Sequence, residues 1–140
     1  MSDAIDNWGS LPYLERMMQF ASARNELLGD SIANLDTPGY VPQDVSSEEF
    51  QDAMRMAMAE EKSGGRSGGF RDTRNISFKE DRIELDPVAS EENLLFHDGN
   101  NRSLEQLMQG LSENFLAFRY AAELFRSTHD TINSAIRLRP

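Results

Sequence analysis

From residue 103 to residue 136 the sequence repeats apolar positions in alternating steps of four and three, with no proline and, after Gly110, no glycine. Leu104, Met108, Leu111, Phe115, Phe118, Ala122, Phe125, Ile132 and Ile136 carry the pattern, and His129 occupies the remaining seam position. A seven-residue repeat of this kind predicts one continuous helix with a narrow apolar stripe, about 51 Å long at roughly 1.5 Å per residue. Ser103 with Gln106 supplies a capping box for its start. Such a helix is too long for a compact small domain. It gains most of its stability by packing on other helices rather than from its own propensity.

The same alternation occurs near the beginning, at Leu11, Leu14, Met18, Ala21, Leu28, Ile32 and Leu35, with Asn25 filling the gap. A seam asparagine has two readings: it fixes register or partner number at some cost in stability, or it merely meets water or a neighbour's backbone. The helix is expected to stop near Leu35, because Ala33 opens the run ANLDTPGY. Pro38 fixes its own φ and pushes Thr37 out of the α region, while Gly39 tolerates a positive φ. Thr37 to Tyr40 is therefore predicted as a type II turn, with Asn34 and Asp36 bonding nearby backbone groups.

Between the seams the signals are weaker. Ser46 and Glu49 form a second possible capping box before Phe50, Met54, Ala57 and Met58, one face of a short helix ending near Glu61. KSGGRSGGF, residues 62–70, reads as a flexible loop with no side chain able to build a core. Ile76 with Phe78, then Ile83 with Leu85, alternate across KEDR and suggest a weak β-hairpin. The loop Asp98, Gly99, Asn100 and Asn101 favours positive φ and is expected to aim the chain into the last helix.

The expected fold is thus mainly α. Long N- and C-terminal heptad helices pair as a coiled-coil-like hairpin, and an irregular middle region holds a short helix and a weak β-hairpin. The divisions are an inner helix over 1–36, a middle segment over 37–102 and a long inner helix over 103–140.

Charge and composition exclude several functions. A net charge of −10 and a pI near 4.6 argue against binding nucleic acid or anionic membranes. The acidity is concentrated before residue 103, since residues 103–140 hold four acids and four bases. Without cysteine there is neither a disulfide nor a thiolate metal site. The start MSDAIDNWGS has acids and no apolar core, and no run approaches about 20 apolar residues, so neither Sec export nor membrane spanning is expected.

Chemistry is sparse as well. His97-Asp98 lacks further histidine ligands, and His129 lies in a helical seam, so no metal site is expected. The glycines of 62–70 lack the lysine and hydroxyl tail of a phosphate loop, and no nucleophile elbow occurs. The expectation is no catalytic residue, no cofactor and no small-molecule substrate.

Together, SIANLDTPGY after the first helix, HDGNN before the last, and heptad seams at both ends resemble the flagellar axial family of rod and hook proteins. The match to its turn falls on Ala33, Asn34, Asp36, Thr37, Pro38, Gly39 and Tyr40. Within the family, the short length and the VPQDVSSEEF segment look most like the proximal rod proteins, although Val41-Pro42 stands where a lysine often follows the Gly-Tyr.

The resemblance implies a structural, non-enzymatic subunit, exported by the flagellar type III apparatus into the periplasmic rod. Its implied partners are other rod subunits, the basal-body inner-membrane ring and the export gate, as well as further copies of itself, with the terminal helices forming the inner layer of the tube. Both terminal helices are expected to be largely disordered before assembly, because narrow seams alone do not offset the entropy of ordering. Acidity and small size leave one rival, a soluble helical adaptor or flagellar export chaperone.

Overall fold

Two helices make up half of the chain. A computed structural model describes residues 2–89 and 100–138. The first helix, α1, runs Ser2–Ala33, and the last, α3, runs Asn100–Arg137 over 38 residues, about 57 Å at roughly 1.5 Å per residue. They lie antiparallel, with Gly110 beside Leu28 and Asn114 beside Ala21 and Asn25. The mainly α hairpin expected from the two seams is the architecture found.

Helix ends differ from the sequence expectation in detail. α1 closes at Ala33 rather than Leu35, because the Asn34 side chain turns back to donate to the Asp30 carbonyl and Leu35 N–H bonds Ile32 in a tighter turn. α3 opens at Asn100, ahead of the proposed Ser103 cap. Ser103 is therefore buried inside the first turn, and Asn100 and Asn101, expected in a loop, are helical. Asp98 and Gly99, like His97, lie outside the described residues.

The middle segment is more ordered than its composition suggests. Strand β1 (Gln43–Asp44) precedes α2 (Ser47–Lys62), the hairpin β2 (Ile76–Phe78) and β3 (Ile83–Leu85), and the short β4 (Val88–Ala89). The expected hairpin forms in the register Ile76 to Leu85 and Phe78 to Ile83. β4 returns to pair antiparallel with β1, giving structure to a stretch expected to be irregular.

Only half of the second capping box is made. Ser46 accepts from Glu49 N–H, but the Glu49 carboxylate accepts from the Thr73 hydroxyl and Asn75 N–H instead of turning back on Ser46. It thereby ties the start of α2 to the approach of the hairpin.

The loop 62–70 requires a correction, because its last residue is part of the packing. Phe70 meets Tyr13 edge-on with centroids 5.3 Å apart and stacks on Phe78 at 5.3 Å. Gly68 makes this possible: its φ is 72°, and a Cβ there would lie 3.3 Å from the Pro12 side chain. The Gly/Ser composition thus serves a tight approach to α1.

The largest apolar core joins α1 to the middle segment. Tyr13 and Phe20 of α1 pack with Val45, with Phe50, Met54 and Ala57 of α2, and with Ile76 and Ile83 of the hairpin. Phe20 and Phe50 stack at 4.2 Å. Fully burying a large apolar side chain contributes about 1.5–3 kcal/mol, so this cluster is the main source of cohesion. α1 therefore has two working faces. Tyr13 and Phe20 look into this core, while Leu14, Ala21 and Leu28 lie on the stripe facing α3.

Candidate assembly surface

The face of α3 buried against α1 is set about one residue, or roughly 100° of helix rotation, from the apolar seam. Ser103, Leu107, Asn114, Ala121 and Thr128 are buried, and Gly110 lies against Leu28. Small and polar side chains let the two backbones approach. The apolar seam lies alongside this line: Leu111, Phe118, Ala122 and Phe125 are half-buried, and Ile132 is buried where the stripes meet.

Leu104, Met108, Phe115 and Ile136 remain exposed, Phe115 at 52%. Leu116, Tyr120 and Leu124 add apolar surface elsewhere around the helix. A row of large apolar groups along a helix of this length is more than the scattered exposure of a monomeric surface. It is a surface suited to another helix.

On α1, Leu14, Ala21 and Leu28 are buried and Leu11, Met18 and Ile32 are half-buried, as is Leu35 just past its end. Asn25 faces α3, where its Oδ1 accepts from Asn114 Nδ2 at 2.9 Å. Asn114 also donates to the Ala21 carbonyl at 2.6 Å. Sequence periodicity alone misses Asn114, which falls one position before Phe115 in the seam. Its signal is the heptad spacing Leu107, Asn114, Ala121, Thr128.

The turn that matches the axial-family pattern reverses the chain along α1. Tyr40 N–H bonds the Thr37 carbonyl at 3.1 Å, and Gly39 has φ 78°, as a Pro-Gly type II turn requires. The reversed strand is then fastened at two places. The fully buried Ser31 hydroxyl meets both the N–H and the carbonyl of Gln43 at 3.2 Å and the Tyr40 hydroxyl at 3.3 Å. Two helical turns earlier, Arg24 forks onto Asp44 with contacts of 2.8 and 2.7 Å. These bonds hold the Arg24 guanidinium above its usual range.

Ala33, Asp36, Thr37, Pro38 and Gly39 are exposed, while Asn34 and Tyr40 are half-buried. Ser31, Arg24 and Asp44 are the fastening residues that the turn motif does not reveal, because their partners meet only once the chain has doubled back.

Two further clamps fix the middle segment to α1. Arg16 donates to the Lys79 carbonyl at 2.6 Å and the Arg82 carbonyl at 3.2 Å, with its guanidinium 5.5 Å from the Phe70 ring centre. Gln19 adds a bond to the Asp81 carbonyl, so α1 caps the hairpin turn. At the other end, the Tyr13 hydroxyl donates to Glu61. Burial and this acceptor push the Tyr13 phenol up to about 12, and the same bond holds Glu61 below the usual carboxylate range.

Among the described residues no group of three or more His, Cys, Asp or Glu is placed to hold a metal ion. His129 is exposed on α3, with Nδ1 3.0 Å from the Asn133 amide one turn on.

Compared with known proteins, the chain is similar to the flagellar basal body rod protein FlgB of Bacillus subtilis (strain 168). The two are 22% identical over 128 residues, 91% of this chain and 93% of that protein. No protein-family model matches the chain. No solved structure matches it either. The similarity bears out the resemblance read from the turn and the terminal seams.

Proposed function

We propose that this chain, similar to a flagellar rod protein over almost its whole length, is a structural subunit of the bacterial flagellar basal body. There it forms part of the proximal rod, polymerising through its terminal helices into the torque-transmitting drive shaft. It works by packing rather than by catalysis. The observation that carries this reading is the apolar row Leu104, Met108, Phe115 and Ile136, uncovered on a chain that matches a rod protein over 91% of its length.

A shaft transmits torque only if its subunits are stiff and their contacts continuous along the axis. A helix of 38 residues meets the first need, and a long apolar row supplies the second when neighbouring helices cover it. The partners are then other rod subunits, further copies of this chain, and the inner-membrane ring and export gate at the rod base. Export runs through the flagellar type III apparatus to the periplasmic side.

The test is photocrosslinking in intact basal bodies, with a photoreactive residue replacing Phe115 in one strain and Met56, exposed on α2, in another. Adducts from position 115 to rod, ring or gate proteins are expected. Adducts confined to soluble cytoplasmic proteins would replace this reading with that of an adaptor or export chaperone.

A further inference from the structure

The two terminal helices are not equivalent in what holds them. α1 contributes Tyr13 and Phe20 to the core and is bonded to the middle segment through Tyr13, Arg16, Gln19, Arg24 and Ser31. Among the described residues, α3 contributes no side chain to that core. Among its described side chains the buried ones are Ser103, Leu107, Asn114, Ala121, Thr128 and Ile132, of which only Leu107 and Ile132 are large and apolar. Of its four Phe and Tyr rings, Phe118 and Phe125 are half-buried, while Phe115 and Tyr120 point away from the chain at 52% and 65% exposure.

Local opening follows local burial, so elements with few buried apolar groups separate before those that share a core. We infer that α3 opens from α1 as one cooperative arm while α1 stays folded with the middle segment. This narrows the expectation that both terminal helices are disordered before assembly: α1 has a second apolar face that its own chain already covers. The opened state presents both stripes of α3, the apolar row and the Asn114 face, and uncovers Leu14, Ala21 and Leu28 on α1. For a rod subunit this is a prefolded base with one free arm. The inference itself concerns the isolated chain and stands or falls independently of the rod reading.

Hydrogen–deuterium exchange on the purified full chain tests it. Amides of 103–137 are expected to exchange together, at least about tenfold faster than those of 13–31, 50–57 and 76–85. Asn114→Ala should accelerate 103–137 further and leave 13–31 unchanged. Phe50→Ala, in the shared core, should instead accelerate 13–31 together with 76–85. If 13–31 and 103–137 exchange at a common rate in the unaltered chain, or Asn114→Ala accelerates both alike, the hairpin is a single unit and the inference fails. The unaltered chain and Asn114→Ala decide the matter even if Phe50→Ala does not fold.

Discussion

Ser31 and Tyr13 show how single polar groups hold the chain's reversal in place. The Ser31 hydroxyl, fully buried, meets both backbone groups of Gln43, so Ser31→Ala leaves a part-buried N–H and carbonyl without that partner. A loss of about 1–3 kcal/mol is expected, read as a lower denaturant midpoint at unchanged slope. Tyr13 makes a pH prediction. Its folded pKa, raised to about 12 from 10.0, means that folding favours the neutral phenol. This contribution is complete below pH 10 and is lost as pH rises through about 12. Glu61 acts oppositely: its lowered pKa gives a contribution present above the ordinary carboxylate value and lost as pH falls through the folded one. Thermal melts between pH 9 and pH 12 should therefore fall more steeply for the unaltered chain than for Tyr13→Phe. Parallel curves would remove Tyr13 as the cause.

At the scale of elements, the turn from Asn34 to Tyr40 sets where the outer segment goes. Gly39 at φ 78° is the residue that permits it, since a β-branched side chain in this region costs about 1–2 kcal/mol. Gly39→Val should lower the melting temperature by a few degrees. If the turn also directs assembly, swimming should fall more than export of the variant, measured by motility halos and by rod subunits recovered outside the cytoplasm. Normal rods would leave the turn as a helix terminator alone. This turn was legible because proline and glycine act on their own backbone, and the helices were legible because a seven-residue period needs no partner to be seen. The rotation of α3 was not. The strongest apolar line, through Leu104 and Phe115, is not the line that meets α1, because close approach of two helices selects Ser103, Gly110 and Ala121 for their size. Phe70 and the β1–β4 pairing were hidden for a similar reason, as each depends on contacts with segments far away in sequence.

For the whole molecule, the apolar row on α3 separates stability from assembly. Phe115 is half exposed and absent from the core, so Phe115→Asp should change the stability of the isolated chain by no more than about 0.5 kcal/mol. Packed between helices in a rod, the same aspartate would be a charge taken out of water without a partner, which costs several kcal/mol. The expected outcome is an unchanged melting temperature for the purified protein with a large loss of motility. Ile83→Ala supplies the contrast, because Ile83 is buried in the core shared by α1 and the hairpin, and its truncation should cost about 2–5 kcal/mol before any assembly begins. If Phe115→Asp melts normally and swims normally, the row is not an assembly surface. If it melts as early as Ile83→Ala, Phe115 is needed by the fold itself, and the division between a core built around α1 and an outward-facing α3 does not hold.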